Sequence, residues 1–146
     1  MRTATTVEAS GAPWGETVDF VTEAERIGLD ECWVAEAWGS DAPSALGFLA
    51  ARTSRIRLGS GIMQVGTRSP VLPAQTALTL ADVSQGRFAL GGLHGVPFAH
   101  PLGRTREIVA VIRSVFAGER VAHDGRHVRI PLSGGDGRPQ SAAAAR

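Results

Sequence analysis

"CWVAEAWGSDAP", residues 32–43, is the stretch whose reading decides the fold. Cys32-Trp33-Val34-Ala35 is an apolar run of strand length, and it ends on a carboxylate, Glu36. A loop through Trp38-Gly39-Ser40 follows. Asp41-Ala42-Pro43 then joins an N-cap residue to an early-turn proline, which predicts a helix start. A buried strand that hands over to a helix is one unit of a parallel α/β sheet, and here it carries an acid to its C-terminal tip.

The same unit repeats on both sides. A first strand is expected over Thr3–Glu8, and a helix over 16–27 with Val18, Val21, Ala24 and Ile27 at helical spacing and Gly28 as its C-cap. The second strand, Trp33–Glu36, leads to a helix with Leu46, Leu49 and Ala50 on one face. "IRLGSGI", Ile56–Ile62, reads as a third strand with two glycines that a plain strand would not want. A helix over about 71–84 presents Ala74, Ala77, Leu78 and Ala81, and Gln85-Gly86 ends it. "RFALG", Arg87–Gly91, is the fourth strand. The fourth helix, about 103–117, carries Ile108, Ile112, Val115 and Phe116 on one face.

Four strand–helix repeats predict an α/β fold with parallel strands and right-handed crossovers. "VAHDGRHVRIP", 121–131, then reads as a small hairpin with a type I′ turn at Asp124-Gly125. The tail 132–146 lacks apolar periodicity and is expected to be disordered, which leaves one domain over 1–131.

Bulk properties remove several classes of function. A net charge of +1 offers no electrostatic case for nucleic acid or an anionic membrane. No apolar stretch approaches the ~18 residues of a membrane helix, and the N-terminus lacks a signal-peptide pattern. The single cysteine, Cys32, forms no intrachain disulfide and suits a reducing cytoplasm. Every basic residue is Arg; without Lys a Walker-type phosphate loop cannot be built.

Parallel α/β folds place their chemistry at the C-terminal ends of strands, which here selects Glu8, Glu36, Gly61-Ile62 and Gly91-Gly92. Glu36 reads as a solvated acid, as one paired with an Arg, or as a ligand contact. The glycines of "GSGI" read as a bulge, or as backbone brought against a flat ligand. A dinucleotide fingerprint is rejected, because the glycine after Gly61 is Gly66. His123 and His127, four apart, lack the further ligands of a zinc site. His94 and His100 are loop histidines open to a catalytic role. Arg104 and Arg106 open the fourth helix, as an anion contact or as a charged face. Ser69, Ser84 and Ser133 lack the strand–elbow setting of a hydrolase nucleophile.

The run "AERIGLDECWVAEAWGSDAPSALGFLAARTSRIRLGSGIMQVGTRSPVLPAQTALTLADVSQGRFALG", with "HGVPFAHPLGRTREIVAVIRSVFAGERVAHDGRHVRIP" after it, resembles the N-terminal half of luciferase-like monooxygenases. Within them it is most similar to the branch that uses the deazaflavin coenzyme F420. The likeness covers about residues 16–131, and "WVAEAWGSDA" and "RIRLGSGI" are its most specific segments.

The resemblance implies a partial, truncated (β/α)8 TIM barrel of about four βα units plus the hairpin. It also implies an oxidoreductase using F420, or alternatively FMN, that exchanges hydride with a small organic substrate. By the same resemblance the third strand ends in a bulge with a non-prolyl cis peptide at Gly61-Ile62, against the middle of the ring. Glu36, Gly61, Ile62, Gln64 and Gly91 are then the cofactor-side positions. The chain departs from the family pattern after "RFALG", where Gly91-Gly92-Leu93 runs directly into His94-Gly95 instead of a longer Gly/Ser-rich loop.

Half a barrel exposes two strand edges and an inner face, so a homodimer through those edges is expected. Two other readings compete. One is a non-catalytic half-barrel that acts by association with itself or a paralogue. The other is a generic α/β binding module, against which the absence of Lys and of an acidic pocket speaks.

Overall fold

The computed structural model describes residues 1–8, 12–36, 40–92 and 100–130. Four parallel strands form one sheet in the order β1 (Ala4–Glu8), β2 (Glu31–Ala35), β3 (Arg57–Ser60), β4 (Phe88–Ala89). Helices α1 (Trp14–Arg26), α2 (Ala42–Ala50) and α3 (Val71–Val83) connect them, and α4 (Pro101–Phe116) follows β4. A two-stranded antiparallel hairpin, β5 (His123–Asp124) and β6 (Arg129–Ile130), packs after α4. The predicted alternation is therefore present; β1, β3 and β4 are shorter than the sequence suggested, whereas β2 begins two residues earlier, at Glu31, and ends at Ala35.

Strand β2 shows why the sheet has two different faces. Cys32 and Val34 are fully buried, whereas Trp33 and Ala35 alternate onto a half-exposed face. On the covered side, Val7, Cys32, Val34 and Leu58 meet Val21 of α1 and Leu46, Leu49 and Ala50 of α2. Burial pushes the Cys32 thiol up to about 11, so it behaves as a small apolar group. Ile27, expected on the buried face of α1, is 63% exposed: it is the C-cap residue, and at about 100° per residue it lies on the flank of the face set by Thr17, Val21 and Ala24. A second core joins Ala74 of α3 to Ile108, Val111 and Val115 of α4 and to Val121 and Val128 around the hairpin.

Helix starts and stops follow their local chemistry. The Asp41 side chain accepts from the Ser44 N–H (2.8 Å), as its N-cap position predicts. Gln85 (φ 56°) and Gly86 (φ 81°) end α3 and release Arg87, whose guanidinium donates to the carbonyls of Ala50 (3.2 Å), Thr53 (3.0 Å) and Ile56 (2.9 Å). That one side chain closes the turn between α2 and β3.

The hairpin differs from expectation. Its loop is the four residues Gly125–Val128, closed by Gly125 N–H to the Val128 carbonyl (2.9 Å), and is not a two-residue turn at Asp124-Gly125. The reason lies on α4: the Glu107 carboxylate accepts the N–H groups of Arg126 (3.1 Å), His127 (2.9 Å) and Val128 (2.8 Å). Three successive amides gathered on one carboxylate hold the loop open. The tail 132–146 and the junction at Leu93–His94 lie outside the described residues.

Glu25 plays the same part at the other end of the sheet. Its carboxylate accepts from the Ser54 N–H and hydroxyl and from the Ile56 N–H. Burial alone would raise its pKa, but hydrogen bonds from Ser54, Ile56 and Arg55 outweigh that and hold it below its ordinary 4.5. The stabilisation is therefore complete above about pH 4.5 and is lost as pH falls through the lowered folded-state value. Glu25→Gln should cost about 1–2 kcal/mol at neutral pH in urea unfolding. The variant should also lose less stability than the parent between about pH 5 and pH 3.

Candidate active site

The five positions singled out in the sequence lie on three segments, after β2, β3 and β4, and backbone hydrogen bonds bring them to one place. Glu36 follows β2, and its N–H donates to the Ile62 carbonyl (3.2 Å). The Gly61 N–H donates to the Val34 carbonyl (2.8 Å), and the Gly61–Ile62 bond is cis, where the resemblance expects one. The Met63 N–H donates to the Gly91 carbonyl (2.8 Å), and Met63 pairs with Gly92 beyond the end of β4. Gln64 precedes a 3-10 turn at Val65–Thr67, and its carbonyl accepts from the Thr67 hydroxyl and the Arg68 guanidinium.

The glycines have a reason that the sequence did not disclose. Trp33 and Gly59 are register partners on the half-exposed face, and the indole lies across the strand, so a Cβ on Gly59 would overlap the ring. A Cβ on Gly61 would stand 3.2 Å from the Trp33 Cβ, and one on Gly91 would overlap the Ser60 carbonyl. The flat group against Gly59 is thus a side chain of the same protein. Fully buried Ser60 ties the tips together: its hydroxyl donates to the Gly91 carbonyl (2.7 Å) and accepts from the Gly91 N–H (3.0 Å).

Glu36 is neither solvated nor free. Its Oε1 lies 2.8 Å from Arg68 Nη2, and its Oε2 accepts from the Ala42 N–H (3.3 Å) at the start of α2. The two side chains are 10% and 17% exposed, and Arg68 Nη1 also donates to the Gln64 carbonyl (2.9 Å). Of the readings open for this acid, pairing with an arginine is the one present. The sequence carries no signal for Arg68, which stands 32 residues from Glu36 in a loop without periodicity.

Of the other strand-tip candidates, Gly92 joins the cluster through Met63 and Glu8 is the register partner of Ala35, whereas the hairpin histidines stand apart. His123 and His127 are on the hairpin; His127 stacks near His100 (ring centroids 5.7 Å), and His123 Nε2 is 3.7 Å from Glu107. Among the described residues no three His, Cys, Asp or Glu side chains come together as a metal site. His94 and Trp38 lie outside the described residues.

A sequence match to the luciferase-like monooxygenases runs over residues 1–145. The chain belongs to this family. It is 41% identical over 127 residues to a Mycobacterium tuberculosis protein whose name places it with the coenzyme F420-dependent oxidoreductases; the match covers 80% of this chain and 37% of that one. Among solved structures it superposes on the F420-dependent tetrahydromethanopterin reductase from Methanopyrus kandleri with a TM-score of 0.83 at 22% identity, over 94% of this chain and 45% of that one. It also superposes on the oxygenating constituent of 3,6-diketocamphane monooxygenase from Pseudomonas putida, solved with FMN, with a TM-score of 0.72 at 15% identity, over 88% and 43%. The fold is thus part of a luciferase-like TIM barrel, and the chain spans less than half the length of these relatives. No helix among the described residues is long and apolar enough to cross a membrane.

If the indole is what requires Gly59, then Gly59→Ala should destabilise the chain by about 1–3 kcal/mol. Placed in a Trp33→Ala background, the same substitution should cost far less. Urea unfolding of the four proteins measures both; an unchanged penalty without the indole would exclude this packing as the cause.

Proposed function

We propose that the strand-tip platform holds the ring of coenzyme F420, and that the chain belongs to an oxidoreductase exchanging hydride with a small organic substrate. The observation carrying this reading is that the half-exposed positions Ala35, Gly61, Gly91 and Gly92 bear almost no side chain and are laced together at the mouth of the sheet. Such a surface suits a planar group, with the Trp33 indole beside it and the Glu36–Arg68 pair at its margin. Residues Glu36, Gly61, Ile62, Gln64 and Gly91 would form the cofactor side. When bound, F420 supplies the hydride chemistry; the chain's part is to bind and orient the ring. FMN is the alternative cofactor, since one of the structural neighbours was solved with it.

The substrate class follows only as a small organic molecule, and the cytoplasm suits a chain whose one thiol is buried and reduced. One domain over 1–131 remains part of the proposal. A second reading, association through a half-barrel, rests on a specific observation: β1 and β4 have no strand partner on their outer sides among the described residues. A long unpaired edge is a template for pairing with another chain. We expect a homodimer in sizing with light scattering, and a monodisperse monomer would argue against it.

The cofactor reading is tested by titrating the purified chain with F420, and separately with FMN, by fluorescence quenching. Saturable F420 binding that weakens at least tenfold in Glu36→Gln is the expected result. A folded chain that quenches neither compound would refute the reading for this polypeptide.

A further inference from the structure

We propose that Arg68 is the positioning residue of this site: it aims the Glu36 carboxylate and locks the turn after β3 to the start of α2. The inference rests on the cofactor reading above for its purpose, but its geometry stands independently. One guanidinium touches two segments: Nη2 meets Glu36 Oε1 at 2.8 Å and Nη1 meets the Gln64 carbonyl at 2.9 Å. The carboxylate's other oxygen takes the Ala42 N–H, and the Glu36 N–H holds the Ile62 carbonyl. Glu36 is therefore fixed at both ends, by its main chain to the tip of β3 and by its side chain to α2 and Arg68.

Lysine could reproduce only part of this, the charge beside Glu36. A guanidinium offers several N–H groups in a planar fork and can satisfy two acceptors in fixed directions, whereas an ammonium is a point charge on a flexible stem. The pair is also largely buried, at 17% and 10% exposure, so loss of the arginine leaves Glu36 with an uncompensated charge. Released from Arg68, the carboxylate would turn toward water and away from the platform. Arg68 thus acts through Glu36 and not on a ligand directly.

The experiment has one readout without cofactor and one with it. In the unliganded chain, the Ala42 amide in a 1H–15N spectrum reports on its bond to Glu36 Oε2. Arg68→Gln should shift this amide and speed its hydrogen exchange at least tenfold, and Arg68→Lys should restore part of the change. An Ala42 amide that stays in place in a folded Arg68→Gln protein overturns the proposal, whatever F420 does. With F420, Arg68→Gln should weaken binding at least tenfold in the parent chain and less than twofold in a Glu36→Gln background. A full further loss in that background would also overturn it, because Arg68 would then act independently of Glu36. If the Ala42 amide moves as expected but the parent chain binds no F420, the positioning role stands and the cofactor reading falls. Should Arg68→Gln fail to fold, Arg68→Lys carries the amide measurement, and Glu36→Gln/Arg68→Gln, with both charges removed, carries the comparison with Glu36→Gln.

Discussion

The indole of Trp33 lying across Gly59 is the contact on which the open face of the sheet depends. A parallel sheet normally fills both faces with apolar side chains, and on the side that meets α1 and α2 Val7, Cys32, Val34 and Leu58 do so. On the other side one large ring replaces several smaller groups, and it can do so only where the neighbouring strand carries no Cβ. Leu58 and Ser60 face the helices while Gly59 yields to the ring, so the "LGS" of β3 follows from the Trp of β2. Beyond the indole the glycines have other causes: a Cβ on Gly91 would overlap the Ser60 carbonyl and one on Gly92 the Val65 side chain.

Polar groups then fix what apolar packing leaves free. Ser60 both donates to and accepts from Gly91, so β3 and β4 stay in register past the point where strand pairing ends. The Glu36–Arg68 pair is a different kind of contact. Two charges largely withdrawn from water gain little net stability, since desolvation offsets most of their attraction. What such a pair supplies is direction: it decides where one carboxylate points and which two segments stay adjacent. Glu25 and Glu107 show the contrasting use of an acid, each gathering amides of a connecting segment and each held below the ordinary carboxylate range despite some burial.

Much of this was legible in the sequence, and the boundary of what was legible has physical causes. Helical spacing and the Asp41-Ala42-Pro43 start describe contacts within one segment, so they located α1 to α4 to within a few residues. The five site positions were found because they sit at strand tips and because two segments resemble a family, and they do converge. Residue pairs distant in sequence were not legible. Nothing in "TRSP" says that Arg68 reaches back to Glu36, nothing in "GSG" says that the ligand-like plane above it is Trp33, and Glu107 gave no sign that it would open the hairpin loop. Each of these depends on the three-dimensional neighbour and not on the residue type.

The open face also bears on how a partial barrel remains a folded object. An inner face of exposed apolar residues would demand immediate cover, but here the strands turn Ala4, Thr6 and Glu8, then Glu31, Trp33 and Ala35, then Arg57 and Gly59 to that side, so the indole is the one large apolar group among them. Glu31 accepts from the Trp33 indole N–H (3.2 Å) and lies 3.5 Å from Arg57 and 3.4 Å from Arg2, so the base of the face is charged and internally paired. The apolar surface is concentrated instead on the other side of the sheet, where α1 and α2 cover it. The cost of leaving this face open is consequently small per residue, and the unsatisfied element is the row of amides and carbonyls along the strand edges. Association, if it is to stabilise this chain, has more to gain from pairing those edges than from burying that face.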